Sequence, residues 1–137
     1  MSRYLYAYLA TAVAFCALDF AWLGLVAPSF YKAQIGPLLL DKPNLVPALV
    51  FYVLYVAGLV IFCVMPGVEA ASWTKAAILG GLFGLFAYAT YDLSNLATLK
   101  DWTVQISIVD MVWGSAASAI ASTCGYVGTL FLTRVLP

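Results

Sequence analysis

Hydrophobic positions in this chain run in blocks separated by short polar breaks, with no strand-like alternation. Four apolar stretches, at about 4–27, 45–65, 74–99 and 103–133, reach or exceed the ~20 residues that cross a bilayer core. The fourth is longer than a span needs, which predicts tilt or an end lying in the interface. In lipid, backbone polar groups must be satisfied within each segment, and closed helices do this. The pattern therefore predicts an all-α integral membrane bundle of four transmembrane helices with antiparallel up-down connectivity. Residues 1–137 form one domain in this reading.

The breaks carry the remaining signals. "PSFYKAQIGPLLLDKPN" (28–44) is the only sizeable connection and reads as an interfacial loop with a short amphipathic helix. "PGVEAASW" and "KDW" read as tight turns, with Trp73 and Trp102 as indoles at the headgroup level. The N-terminal run imitates a signal peptide, but Phe15 stands where a lipoprotein signal needs a small residue, and Asp19 interrupts the cleavage region. The expectation is an uncleaved first span.

Composition sharpens this picture. Hydrophobic residues make up 65% of the chain and charged ones 9%, too few to cover a soluble domain of this length. Net charge is zero, so nothing points to nucleic acid. Cys16, Cys63 and Cys124 all fall within spans and read as small apolar fillers. With no His in the sequence, haem, chlorophyll or zinc cannot be held through that ligand; the cofactor stays unspecified. Arg3, Lys75 and Arg134 fall on one side of the bilayer and Lys32, Lys42 and Lys100 on the other. This count permits insertion in both orientations, with the termini assigned to the cytoplasmic side.

Asp41, Glu69 and Asp101 lie in the breaks and read as solvated. Asp19, Asp92 and Asp110 lie inside spans, where a carboxylate costs about 2.5–3.5 kcal/mol and normally faces the bundle interior. At 1.5 Å per residue, each sits about 10–12 Å below the surface that carries the long connection. Span two brings Tyr52 and Tyr55 to a similar depth. Helical spacing places Gly84, Tyr88, Asp92 and Asn95 on one face of span three. Asp19 shares a face with Trp22, and Asp110 shares one with Trp113. The candidate ligand- or ion-binding residues are therefore Asp19, Asp92, Asp110, Asn95, Trp22, Trp113, Tyr88 and Tyr52. If a metal is held, Asp19, Asp92 and Asp110 are its ligands. "AFCALDFAWL" (14–23) and "AYATYDLSNL" (87–96) echo one another, as a parallel internal repeat would.

"DKPNLVPALVFYVLYVAGLV", "FAYATYDLSNLATLKDW" and "VDMVWG" resemble the signatures of a family of small four-span bacterial membrane proteins catalogued as a domain of unknown function. The resemblance covers nearly the whole chain. It implies four spans and a location in the bacterial inner membrane, and it brings no activity, substrate or catalytic residue.

Three acids at one level must be protonated, paired or neutralised by a cation. Three readings stay open. The first is an intramembrane site for a proton, metal ion or organic cation, as in a small transporter, since carboxylates beside indole and phenol faces suit an organic cation. The second is a structural or accessory subunit whose protonated acids link helices. The third is a metal-dependent enzyme acting on lipid, for which no catalytic spacing, His or evident nucleophile is present; Ser94 and Ser107 are unremarkable. The partners expected are the lipid bilayer and a second copy of the chain. Gly114, Gly125 and Gly128, with Ala117 and Ala121, form a small-residue stripe on span four that suits a homodimer.

Overall fold

The computed structural model describes residues 2–136. Six α-helices follow one another: α1 (Ser2–Leu25), α2 (Ala27–Ile35), α3 (Leu45–Leu59), α4 (Met65–Glu69), α5 (Trp73–Thr98) and α6 (Val104–Val135). A 3-10 turn at Gly36–Leu38 follows α2, and a π turn at Val60–Val64 joins α3 to α4. There is no strand among the described residues. Four helical segments are long and apolar enough to span a membrane: Ser2–Leu25, Leu45–Glu69, Trp73–Thr98 and Val104–Val135.

The second span continues past Met65, where the sequence pattern ends it. Pro66 has no N–H and its ring crowds the carbonyl one turn earlier, which normally kinks or stops a helix. Here the chain widens into the π turn, in which Met65 N–H reaches the Val60 carbonyl, and helix resumes to Glu69. The long connection is more ordered than a loop. α2 begins beside Pro28, whose fixed φ suits a first helical turn. Ala27, Tyr31 and Ile35 fall on one face, and Ala27 and Ile35 are buried. The starts of α3, α5 and α6 have side-chain caps: Asn44 accepts from Val46 N–H, Ser72 from Lys75 N–H and Thr103 from Ile106 N–H, each at 3.2 Å. Ala71 and Asp101 take positive φ in the two tight turns.

The closest packing is between α5 and α6. A Cβ on Gly84 would stand 2.2 Å from the Gly114 carbonyl oxygen, and one on Gly80 2.6 Å from the Ser118 carbonyl oxygen. These glycines let the two backbones touch. Position 80 faces 118 and 122, position 84 faces 114, and Ser107 meets the Asp92 carbonyl, so numbers rise along one helix as they fall along the other. α1 completes the interior: Gly125 lies against Thr11 and Gly128 against Ala10. Phe15, Leu59, Val64, Ala117 and Ala121 fill the core between them. The small-residue stripe on α6 is thus occupied within the chain. Outward positions such as Val13, Leu54, Phe86, Val112 and Phe131 are apolar and exposed, as lipid-facing side chains are.

The Gly84–Gly114 contact leads to a direct test. Gly84→Ala is expected to cost about 1–3 kcal/mol, because the added methyl meets backbone that can yield only by parting two helices. Gly24→Ala, where nothing lies within 4 Å of the added Cβ, is expected to stay within about 0.5 kcal/mol. Reversible unfolding in mixed lipid–detergent micelles measures both; a neutral Gly84→Ala would show that this contact does not hold the bundle together.

Candidate functional site

All three intramembrane acids are buried: Asp92 is 0% exposed, Asp110 5% and Asp19 8%. Their surroundings differ. Asp19, on α1, accepts the phenol proton of Tyr52 from α3. Asp110, on α6, accepts the phenol proton of Tyr31 from α2, and Trp22 Nε1–H donates to the same Tyr31 oxygen at 3.1 Å. Neither carboxyl oxygen of Asp92 has a hydrogen-bond partner in the protein. What stands beside it is the Asp110 carboxyl, within hydrogen-bonding reach once a proton lies between them.

The α5–α6 contact explains this meeting. Side chains tilt toward the N-terminus of their own helix. With the two helices passing in opposite sequence order, Asp92 leans down toward Gly84 while Asp110 leans up toward α5's far end. The two carboxyls converge midway. The Trp102 indole N–H donates to Ser107 Oγ at 3.0 Å, and that hydroxyl lies 3.4 Å from the Asp92 carbonyl, closing the helix turn around the pair.

A cavity of about 300 Å³ opens beside Asp110. Asp19, Asp110, Trp22, Trp113 and Tyr88 all line it, together with Tyr31 from α2. Asp92 lies behind Asp110, outside the lining. Tyr52 touches the site through Asp19, and Asn95 is half-buried beside Tyr91, outside the cavity lining. Trp22 and Trp113 stack face to face, with ring centroids 4.4 Å apart and planes 11° from parallel. The Trp113 N–H is buried without a partner. Among the described residues lining the cavity there is no Lys or Arg. No group of three His, Cys, Asp or Glu side chains among the described residues is arranged to hold a metal ion.

Sequence reading missed Tyr31, Trp102 and Ser107. The spacing of Ala27, Tyr31 and Ile35 at i, i+4 and i+8 carried the signal for Tyr31, since it marks the inward face of a short helix. Trp102, expected at the headgroup level, is buried in the protein, packed with Ile35 and Ile106. Its burial depends on α2 folding back over α6. Gln34 and Thr103 fasten that fold, with Thr103 Oγ1 donating to Gln34 Oε1 at 2.7 Å. Ser107 had no local signal, because its role comes from the turn it faces.

A four-helix membrane protein with a carboxylate- and aromatic-lined cavity beneath a short cover helix is the class that this fold and site define. The chain belongs to the family described as "Predicted membrane protein (DUF2177)", which matches residues 4–127. No match is found among curated proteins or among solved structures.

Burial first, and then its bond to Asp110, raise the Tyr31 phenol above its ordinary range. Tyr31 therefore stays a proton donor through neutral and moderately alkaline pH. Tyr31→Phe removes the donor to Asp110 and the acceptor for Trp22, and is expected to cost about 1–3 kcal/mol. A folded value raised above the unfolded one gives stability that is fully present below the unfolded value of about 10 and is lost as pH rises through the folded value. The difference between wild type and Tyr31→Phe should thus be flat from neutral pH to about 10 and shrink above it. Unfolding measured across that pH series checks the sign; a gap that widens with alkalinity contradicts the assignment.

Proposed function

We propose that this protein binds an organic cation at its intramembrane carboxyl groups in exchange for a proton, as a small carrier of the bacterial inner membrane does. The observation that carries this reading is Asp92: a fully buried carboxyl without a donor on either oxygen, set against a second carboxyl, Asp110. Two carboxyls in contact in a low-dielectric interior do not both ionise uncompensated. One proton shared between them removes the conflict, and so does a cation beside Asp110. Because either satisfies the pair, occupancy by one favours release of the other.

The cavity supports an organic cation over a metal ion. No three acidic side chains are grouped there as a ligand set, and Tyr88, Trp22 and Trp113 present π surface that attracts a weakly hydrated cation. Asp19 adds a second negative group across the cavity, steadied by Tyr52. The Tyr52–Asp19 bond also favours a linking role for that one acid, joining α1 to α3, so Asp19 contributes to both shape and charge.

The test uses the purified chain in lipid nanodiscs with tetramethylammonium as probe. Thermal stabilisation is expected, about 2.7 kcal/mol when the probe is at a hundred times its Kd, with release of about one proton per cation into weakly buffered solution. Asp110→Asn and Asp92→Asn are expected to lose the proton release, and Asp110→Asn the stabilisation as well. Equal melting shifts in wild type and both variants, with no proton released, would leave the acids as neutral links between helices. We place the termini on the cytoplasmic side, which a C-terminal reporter reads directly.

A further inference from the structure

A second cavity lies against the first. It has a volume of about 380 Å³ and sits between α3 and α5, lined by Phe51, Tyr55, Ala87, Tyr88 and Tyr91. No charged side chain lines it. Phe51 and Tyr91 are 41% and 56% exposed, so this groove opens on the lipid-facing side of the chain. Tyr88 and Tyr91 line both spaces, with the apolar groove on one side and the acid-bearing cavity on the other. Tyr88 is pressed flat on α6: a Cβ on Gly114 would stand 2.2 Å from its ring. The ring therefore cannot retreat toward α6; it forms a thin partition with space on both sides, and on the groove side it meets Tyr55 edge to face at 6.2 Å.

We propose that the cation bound at Asp110 is amphipathic, with its ammonium head in the acid cavity and its alkyl chain lying past Tyr88 in the groove between α3 and α5. This rests on the cation reading above and adds to it the class of ligand and its route, sideways from the bilayer. Two facts select this occupant. The groove shares two wall residues, Tyr88 and Tyr91, with the cavity that holds Asp19 and Asp110. Its wall offers apolar and ring surface and no group that would bind a headgroup of its own. A ligand anchored by charge on one side of the partition thus places its apolar part on the other. A lipid acyl chain resident in the groove is the competing occupant, and it would block the added chain.

The experiment compares tetramethyl-, hexyltrimethyl- and decyltrimethylammonium on wild type and Ala87→Phe in nanodiscs. Ala87 touches the groove and not the acid cavity, so the larger ring fills the groove and leaves the head site intact. Ala87→Leu serves as a gentler filling if the phenylalanine variant does not fold. Affinity is read from thermal stabilisation, and each wild-type value is divided by that of the variant, which cancels partition of the longer chains into lipid. The expected ratio is near one for tetramethylammonium and grows with chain length, by less than the about fourfold per methylene that transfer from water would give, because the displaced chain lies in lipid and loses only the groove's packing. A ratio that does not change with chain length overturns the groove as the chain's site and fits a resident acyl chain. Loss of tetramethylammonium binding in a folded variant also overturns it, since head and chain sites would not be separable. If no ammonium ion stabilises wild type, the cation reading itself fails, a result distinct from both.

Discussion

The contact between Gly84 and Gly114 sets the register on which the rest of the structure depends. Helices that touch backbone to backbone cannot slide without a clash, so the level of every side chain on α5 relative to α6 follows from it. That register sets Asp92 against Asp110 and Ser107 against the Asp92 turn. The same closeness presses Tyr88 onto Gly114 and so positions the partition between the two cavities. Small residues here shape the site without taking part in its chemistry.

The carboxyl pair illustrates how an apolar chain holds polar groups. Several buried polar groups have a local answer: Tyr52 for Asp19, Tyr31 for Asp110, Ser107 for the Trp102 indole. Asp92 has none, and Thr11, Ser122 and the Trp113 N–H share that condition deeper in the bundle or along the cavity wall. An unpartnered hydroxyl is a modest penalty, whereas an unpartnered carboxylate in the same medium is a large one. Only at Asp92 is the imbalance strong enough to demand a proton or a cation.

α2 converts an open end of the bundle into a cavity. It lies across the start of α6, tied by Gln34 to Thr103 and Gln105, and it lowers Tyr31 onto Asp110. Ile35 packs with Trp102 and Ile106 beneath it, so the cover is held by apolar contact as well as by hydrogen bonds. Through one phenol, the cover helix reaches an indole of α1 and the carboxyl of α6 at once.

Length and hydrophobicity along the chain were enough to specify four spans, because a bilayer imposes one simple requirement on any segment that crosses it. The rarity of charge was enough to single out Asp19, Asp92 and Asp110, and helical spacing placed each on a face that the structure buries. The second helix runs on to Glu69, past the apolar stretch that ends near 65, because a π turn can absorb a missing N–H at Pro66 in a way that residue type alone does not reveal. Which acids pair was decided only by the tertiary structure. Depth treats the three as equals, and the difference between Asp19 on Tyr52 and Asp92 against Asp110 arises from which helices touch closely. Tyr31 and Trp102 entered the site for the same reason: their places depend on α2 folding back over residues some seventy positions away in the chain, a contact that no local pattern encodes.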